Sequence, residues 1–249
     1  MGEMTLVAVL AHPDDESFGI GGTLARYSAG GVRVDLVVAT RGEAGVPGMP
    51  SWQTATMREA ELRLACAELG VRRLEFLGFA DGHLSEADDD TAIARLVHIL
   101  RHLRPDVVIT FGPEGVTGHP DHVAVHRWTT EAFDRLNGQA ECPRRLYYIV
   151  PSESTDQACG VPPSPAAVGG PVVSIDISGF LVTKAKAMQQ HQSQNPPVSG
   201  LPEEAARHLA CHEVFRLARP ISDDDPGEPT DDLFVGIDNA YDPAALPDE

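Results

Sequence analysis

Two periods of apolar residues alternate along the chain and set out its elements. Runs of four to eight largely β-branched or apolar residues at 5–9, 32–39, 72–78, 106–111, 146–150, 172–177 and 213–217 have the length of buried strands. Between them, segments 17–30, 54–69, 88–104, 120–136, 179–190 and 201–211 carry apolar residues at helical spacing. Gly70 is placed to close the second of these as a C′ glycine. Asp88, Asp89 and Asp90 sit where a helix amino end favours carboxylates, and Pro105 ends the helix they begin. Strands alternating with helices predict an α/β fold with a mostly parallel sheet covered by helices on both faces, a Rossmann-like three-layer arrangement. Residues 151–171, rich in Pro, Gly and Ser, are expected to form a long loop.

Composition refines this reading. A chain of 249 residues with 42% hydrophobic content can bury a full α/β core, and one domain over 1–219 is the economical division. Residues 220–249 hold ten Asp and Glu and no Lys or Arg, and are expected to be a solvated acidic tail in which the stretch 233–237 is apolar enough to dock. The net charge of −18 argues against nucleic acid and anionic membranes as partners. No apolar run is long enough to span a bilayer, and residues 5–9 lead directly into a motif without a signal peptide, so a cytoplasmic protein is expected, with a homo-oligomer left open. Cys66, Cys142, Cys159 and Cys211 form no Cys-x-x-Cys pair and read as thiols.

The candidate chemistry lies at the ends of two strands. Ala11-His12-Pro13-Asp14-Asp15-Glu16 follows the first strand, and there His12 and Asp15 offer an imidazole and a carboxylate suited to a divalent metal. Gly118-His119-Pro120-Asp121-His122 follows the fourth strand and is the best source of a third ligand. Loops at the carboxyl edge of a parallel sheet face one crevice. Three protein ligands leave a position for water, the pattern of a catalytic metal. Asp14, next to a ligand, can act as a general base from within reach of that water. The glycines at 19, 21 and 22 do not complete a dinucleotide fingerprint, because position 24 is Leu24.

The pair formed by residues 11–16 and 115–122 resembles the signature of the zinc-dependent N-acetylglucosaminyl deacetylases, the PIG-L/LmbE-like family, whose members include enzymes of mycothiol and bacillithiol synthesis and of glycosylphosphatidylinositol assembly. The resemblance implies an LmbE-like fold and a metal-dependent hydrolase that removes the N-acetyl group from an N-acetylglucosamine-containing small-molecule conjugate. It implies zinc, with ferrous iron as an alternative, on His12, Asp15 and His122. Asp14 would be the general base, His119 would stabilise the oxyanion, and Asp121 would orient a neighbour. By similarity to family segments, Glu43, Arg58 and Asp81 are expected to contact substrate, although the residue pattern alone reads Arg58 as a solvated charge. His191, in a His-x-Ser-Gln element, would support the site from behind. Thr117 stands where some members carry a tyrosine. An amidase of the same family acting on another amide, such as a thiol conjugate, and a sugar-binding relative without catalysis are the competing readings.

Overall fold

The computed structural model describes residues 3–139, 142–150, 172–219 and 231–237. Among them are seven strands: β1 (Thr5–Leu10), β2 (Arg33–Val38), β3 (Arg73–Phe76), β4 (Val107–Phe111), β5 (Arg145–Val150), β6 (Val172–Asp176) and β7 (His212–Arg219). The helices are α1 (Asp15–Ala29), α2 (Ser51–Leu69), α3 (Asp89–Leu103), the single turn α4 (Gly115–Gly118), α5 (Pro120–Leu136), α6 (Leu181–Gln190) and α7 (Pro202–Ala206). One sheet runs in the order β3-β2-β1-β4-β5-β7-β6. β1 to β5 pair in parallel, whereas β7 is antiparallel to both of its neighbours, so β6 points the same way as β5.

β1 and β4, adjacent in the middle of the sheet, read as unbroken apolar runs because both of their faces are covered. Every residue of β1 and β4 is buried. α1, α2 and α6 pack on one another in one layer, and α3 packs on α5 in the other. Ala92, Ile93, Leu96, Leu100 and Leu103 form the buried stripe of α3, and Asp88 caps that helix by accepting the Thr91 N–H at 3.0 Å. Gly70 ends α2 with φ of 71°, as its position predicts.

The chain leaves β1 toward β2 on one side and reaches β4 on the other, so the strand order reverses between β1 and β4. Ligands of open α/β sheets bind at that point, outside the carboxyl ends of the strands. Both His/Asp motifs follow these two strands.

α1 is not regular. It breaks at Ile20, where φ is −135°, and the Glu213 carboxylate of β7 accepts the Gly22 and Thr23 N–H groups at 3.0 and 2.7 Å, capping the second half. Lys184 of α6 completes this buried cluster, 2.6 Å from Glu213. The helix expected over 201–211 is confined to Pro202–Ala206, because the chain must turn back into β7, and the Cys211 carbonyl accepts the Ile177 N–H there. The expected loop at 151–171 and Cys159 lie outside the described residues; Cys66, Cys142 and Cys211 are thiols. Residues 231–237 pack against the core, with Leu233, Phe234 and Ile237 buried. Among the described residues no helix is long and apolar enough to cross a membrane.

Candidate active site

The two strand-end motifs meet in a cavity of about 370 Å³. It is lined by His12, Asp14, Asp15, Arg58, Asp81, His119 and His122, together with Ala44, Gly45, Gly82 and Gln194.

The first motif makes a tight turn out of β1. Asp14 adopts φ of 113°, a region that side-chain-bearing L-residues rarely occupy. This turn brings the Asp15 carboxylate back over the strand end, where Oδ2 accepts the N–H groups of Ala11 and His12 at 3.2 and 2.8 Å. In the second motif Gly115 and Val116 both have positive φ, and Pro120 opens α5 with His119 as its cap.

Hydrogen bonds fix what each imidazole has left to offer. Nε2 of His12 faces Asp121 Oδ2 and Asp81 Oδ1, each at 3.1 Å, so Nδ1 is the nitrogen turned to Asp15, 3.6 Å away. Nδ1 of His122 donates to the Gly115 carbonyl at 3.0 Å, which leaves Nε2 facing the other Asp15 oxygen at 3.3 Å. One ligand atom from each of His12, Asp15 and His122 lies within 4.8 Å of the others, a spacing that donors around a single cation can adopt. His12, His119 and Asp121 also satisfy that distance criterion. Both Asp121 oxygens are nevertheless taken by the Gly82 and Leu84 N–H groups, at 2.7 and 3.1 Å, and its side chain is wholly buried. The set centred on Asp15 therefore fits a divalent cation, with Asp121 orienting His12.

The electrostatics agree with this assignment. Burial opposes protonation of His12, but Asp121, Asp15 and Asp81 outweigh it and push its pKa up to about 12, a surplus of negative charge that a cation would balance. Burial, and then the Asp15 charge, push Asp14 up to about 7 against the pull of Arg58. His119 is held below the usual imidazole value by burial and by its two histidine neighbours. Its Nδ1 accepts the Asp121 N–H at 3.1 Å, so in the neutral ring Nε2 carries the proton.

Arg58 is 3% exposed, not a solvated charge. Its guanidinium donates to the Pro13 carbonyl, to Asp14 Oδ2 at 3.0 Å and to the Gly42 carbonyl at 3.1 Å. A Cβ at Gly42 or Gly45 would fall within 2.4 Å of this group, which explains the glycines of the 40–45 loop. Glu43 and Asp81 clasp two loops reciprocally: Asp81 N–H donates to Glu43 Oε1 at 3.0 Å, and Ala44 N–H donates to Asp81 Oδ2 at 2.9 Å. Glu43 lies behind the wall of the cavity, not on it. His191 is buried and 2.7 Å from Glu16. Thr117 is exposed and does not line the cavity.

Sequence reasoning missed Gln194 on the cavity wall, and it missed the partners of Glu16. The signal for Gln194 was the His-x-Ser-Gln element. Glu61 accepts both the N–H and the hydroxyl of Ser193, at 2.8 and 2.6 Å, which brings the turn to the cavity.

Comparison with known proteins identifies the family. The profile of the PIG-L family, described as GlcNAc-PI de-N-acetylase, matches residues 7–133. A 1D-myo-inositol 2-acetamido-2-deoxy-alpha-D-glucopyranoside deacetylase of Acidothermus cellulolyticus is 34% identical, over 94% of this chain and 95% of its own length. A conserved protein of Thermus thermophilus superposes with a TM-score of 0.64 at 27% identity, over 87% of this chain and 95% of that one. The N,N'-diacetylchitobiose deacetylase of Pyrococcus horikoshii shares the fold, with a TM-score of 0.65 at 24% identity, over 86% of this chain and 83% of that one. With its paired motifs at the reversal of strand order, the chain belongs to the PIG-L family of GlcNAc-PI de-N-acetylase-like proteins.

Proposed function

We propose that this protein is a zinc-dependent N-deacetylase that hydrolyses the acetamide of an N-acetylglucosamine-containing conjugate to acetate and a free amine. Ferrous iron would suit the same ligands. The observation that carries the reading is the opposed presentation of His12 Nδ1 and His122 Nε2 around Asp15, in the cavity that also holds Asp14 and His119. Held by these three residues, a divalent cation supplies polarisation of the amide carbonyl and acidification of a water.

The other residues act on the proton and the developing charge. Arg58 engages Oδ2 of Asp14, so Oδ1 is the oxygen available to take the proton of the attacking water. As the tetrahedral intermediate collapses, the same carboxyl returns that proton to the leaving nitrogen. His119 donates from Nε2 to the oxygen that becomes negative. Asp81 and Arg58, on the cavity wall, would contact the sugar, and Glu43 would support that wall from behind by accepting the Asp81 N–H. The similarity to the Acidothermus enzyme makes a pseudodisaccharide of N-acetylglucosamine and inositol the first substrate to test. The reading places the enzyme in the cytoplasm with a small glycoconjugate as its partner.

Acetate release by zinc-loaded protein should be measured on N-acetylglucosamine-inositol, N-acetylchitobiose and free N-acetylglucosamine. Turnover of at least one conjugate, abolished by chelator and restored by zinc, is expected. No acetate from any of the three would overturn the reading.

A further inference from the structure

We infer that His191 is a positioning residue for the proposed general base, acting through Glu16 to hold the Asp14 backbone in its left-handed conformation. The inference rests on the deacetylase reading for the role of Asp14, and on geometry alone for the contact. His191 and Glu16 stand 175 residues apart, have no solvent exposure, and meet with Nε2 2.7 Å from Oε1. The second oxygen, Oε2, accepts the Asp14 N–H at 3.0 Å, and the Ser17 hydroxyl donates to Oε1 at 2.5 Å. A single carboxylate therefore connects the turn after α6 to the one residue of the first motif whose φ is positive.

Two further observations give this connection a direction. Asp14 at φ of 113° is strained and persists only where neighbours over-determine it. Its neighbours do so at both ends: Glu16 takes its N–H, and Arg58 takes its side chain while also binding the carbonyl of Pro13. The other ring nitrogen of His191, Nδ1, is buried without a hydrogen-bond partner. The hydrogen bonding of the ring is thus confined to Nε2, with an unpaired nitrogen on its far side. Neither Glu16 nor His191 lines the cavity, and the Glu16 carboxylate meets the cavity residue Asp14 through its N–H.

The nitrogen used makes the inference testable. A glutamine amide reaches the position of Nε2, an asparagine amide reaches only that of Nδ1, and methionine fills the space with no donor. His191→Gln is expected to keep kcat within about threefold of wild type. His191→Asn and His191→Met should each lose at least tenfold in kcat, with KM and metal content unchanged. In parallel, amide hydrogen exchange of residues 11–18 should match wild type in His191→Gln and be at least tenfold faster in the other two, which reads the Asp14 contact whether or not the substrate is right. Either of His191→Asn and His191→Met, once folded, suffices for the comparison with His191→Gln. Equal kcat and equal exchange across the variants would overturn the inference, and so would a loss of kcat that tracks loss of metal. Wild-type protein without deacetylase activity would overturn the deacetylase reading, while the exchange data would still decide whether His191 holds Asp14.

Discussion

Asp121 Oδ2 lies 3.1 Å from His12 Nε2 while the Asp121 carboxylate takes two backbone N–H groups from the 82–84 turn, and this pairing decides which nitrogen of His12 is left for a cation. Partners of this kind fix the tautomer and raise the basicity of the ligand. Asp121→Asn should therefore weaken metal binding by about 10- to 100-fold. His12→Ala, Asp15→Ala and His122→Ala should abolish it at stoichiometric loading. Elemental analysis after dialysis checks both statements, and full occupancy in the three alanine variants would sink the ligand assignment.

Asp14→Asn should retain metal and lose deacetylation by roughly two to four orders of magnitude, the scale for removing a general base. The amide keeps the hydrogen-bonding shape toward Arg58 but cannot take a proton. Steady-state rates beside metal content make the measurement; near-wild-type turnover would show that another group carries the proton.

His119→Ala removes a neutral donor and leaves His12, Asp15 and His122 in place. The expected loss is about 10²- to 10³-fold in kcat, the range for one oxyanion donor, with metal content intact. An effect confined to KM would contradict the oxyanion role.

His191 carries a prediction about stability and pH. Burial disfavours its imidazolium, but the hydrogen bond to Glu16 and the charges of Glu16, Asp14 and Glu61 outweigh burial and raise its pKa in the folded protein. A raised folded value means that protonation stabilises the fold. The contribution is complete below the unfolded histidine value of about 6.5 and disappears as pH rises through the higher folded value. The Tm of wild type minus that of the uncharged His191→Gln variant should shrink between pH 6 and pH 9. A gap that widens with pH would count against the pairing.

Arg58→Lys should fail to restore what Arg58→Ala loses. A lysine ammonium is a point charge, whereas the guanidinium bonds two carbonyls and Asp14 at once. Both variants should lower kcat as well as raise KM, measured on a conjugate and on free N-acetylglucosamine. A pure KM effect limited to the conjugate would instead mean that Arg58 reads only a distal group.

How much of this was legible in the sequence depended on distance along the chain. β1 and β4 stood out because strands buried on both faces leave unbroken apolar runs, and the motifs followed them directly. That pattern alone puts His12, Asp15 and His122 at one crevice, and all three line the cavity. Arg58 resisted because periodicity reports which face of α2 is apolar, not that glycines at 42 and 45 clear a path for a charged side chain. The bond between His191 and Glu16 and the insertion of β7 between β5 and β6 depend on long-range pairing that no local pattern encodes. The division at residue 219 followed charge, while burial of Leu233 and Phe234 follows from two tyrosines far upstream.

Those tyrosines change what the end of the chain is for. Tyr27, near the end of α1, donates to Asp232 at 2.7 Å and accepts the Leu233 N–H at 2.8 Å, and Tyr147 of β5 donates to the Leu233 carbonyl at 3.0 Å. Residues 231–237 therefore act as a strap at the amino edge of the sheet, tying to β5 the helix whose opposite end supplies Asp15 and Glu16. A chain cut after Arg219 would lose more than an acidic appendage. It would strand two buried phenols without these partners, uncover apolar surface beneath α1, and loosen from below the helix on which the turn carrying Asp14 is mounted.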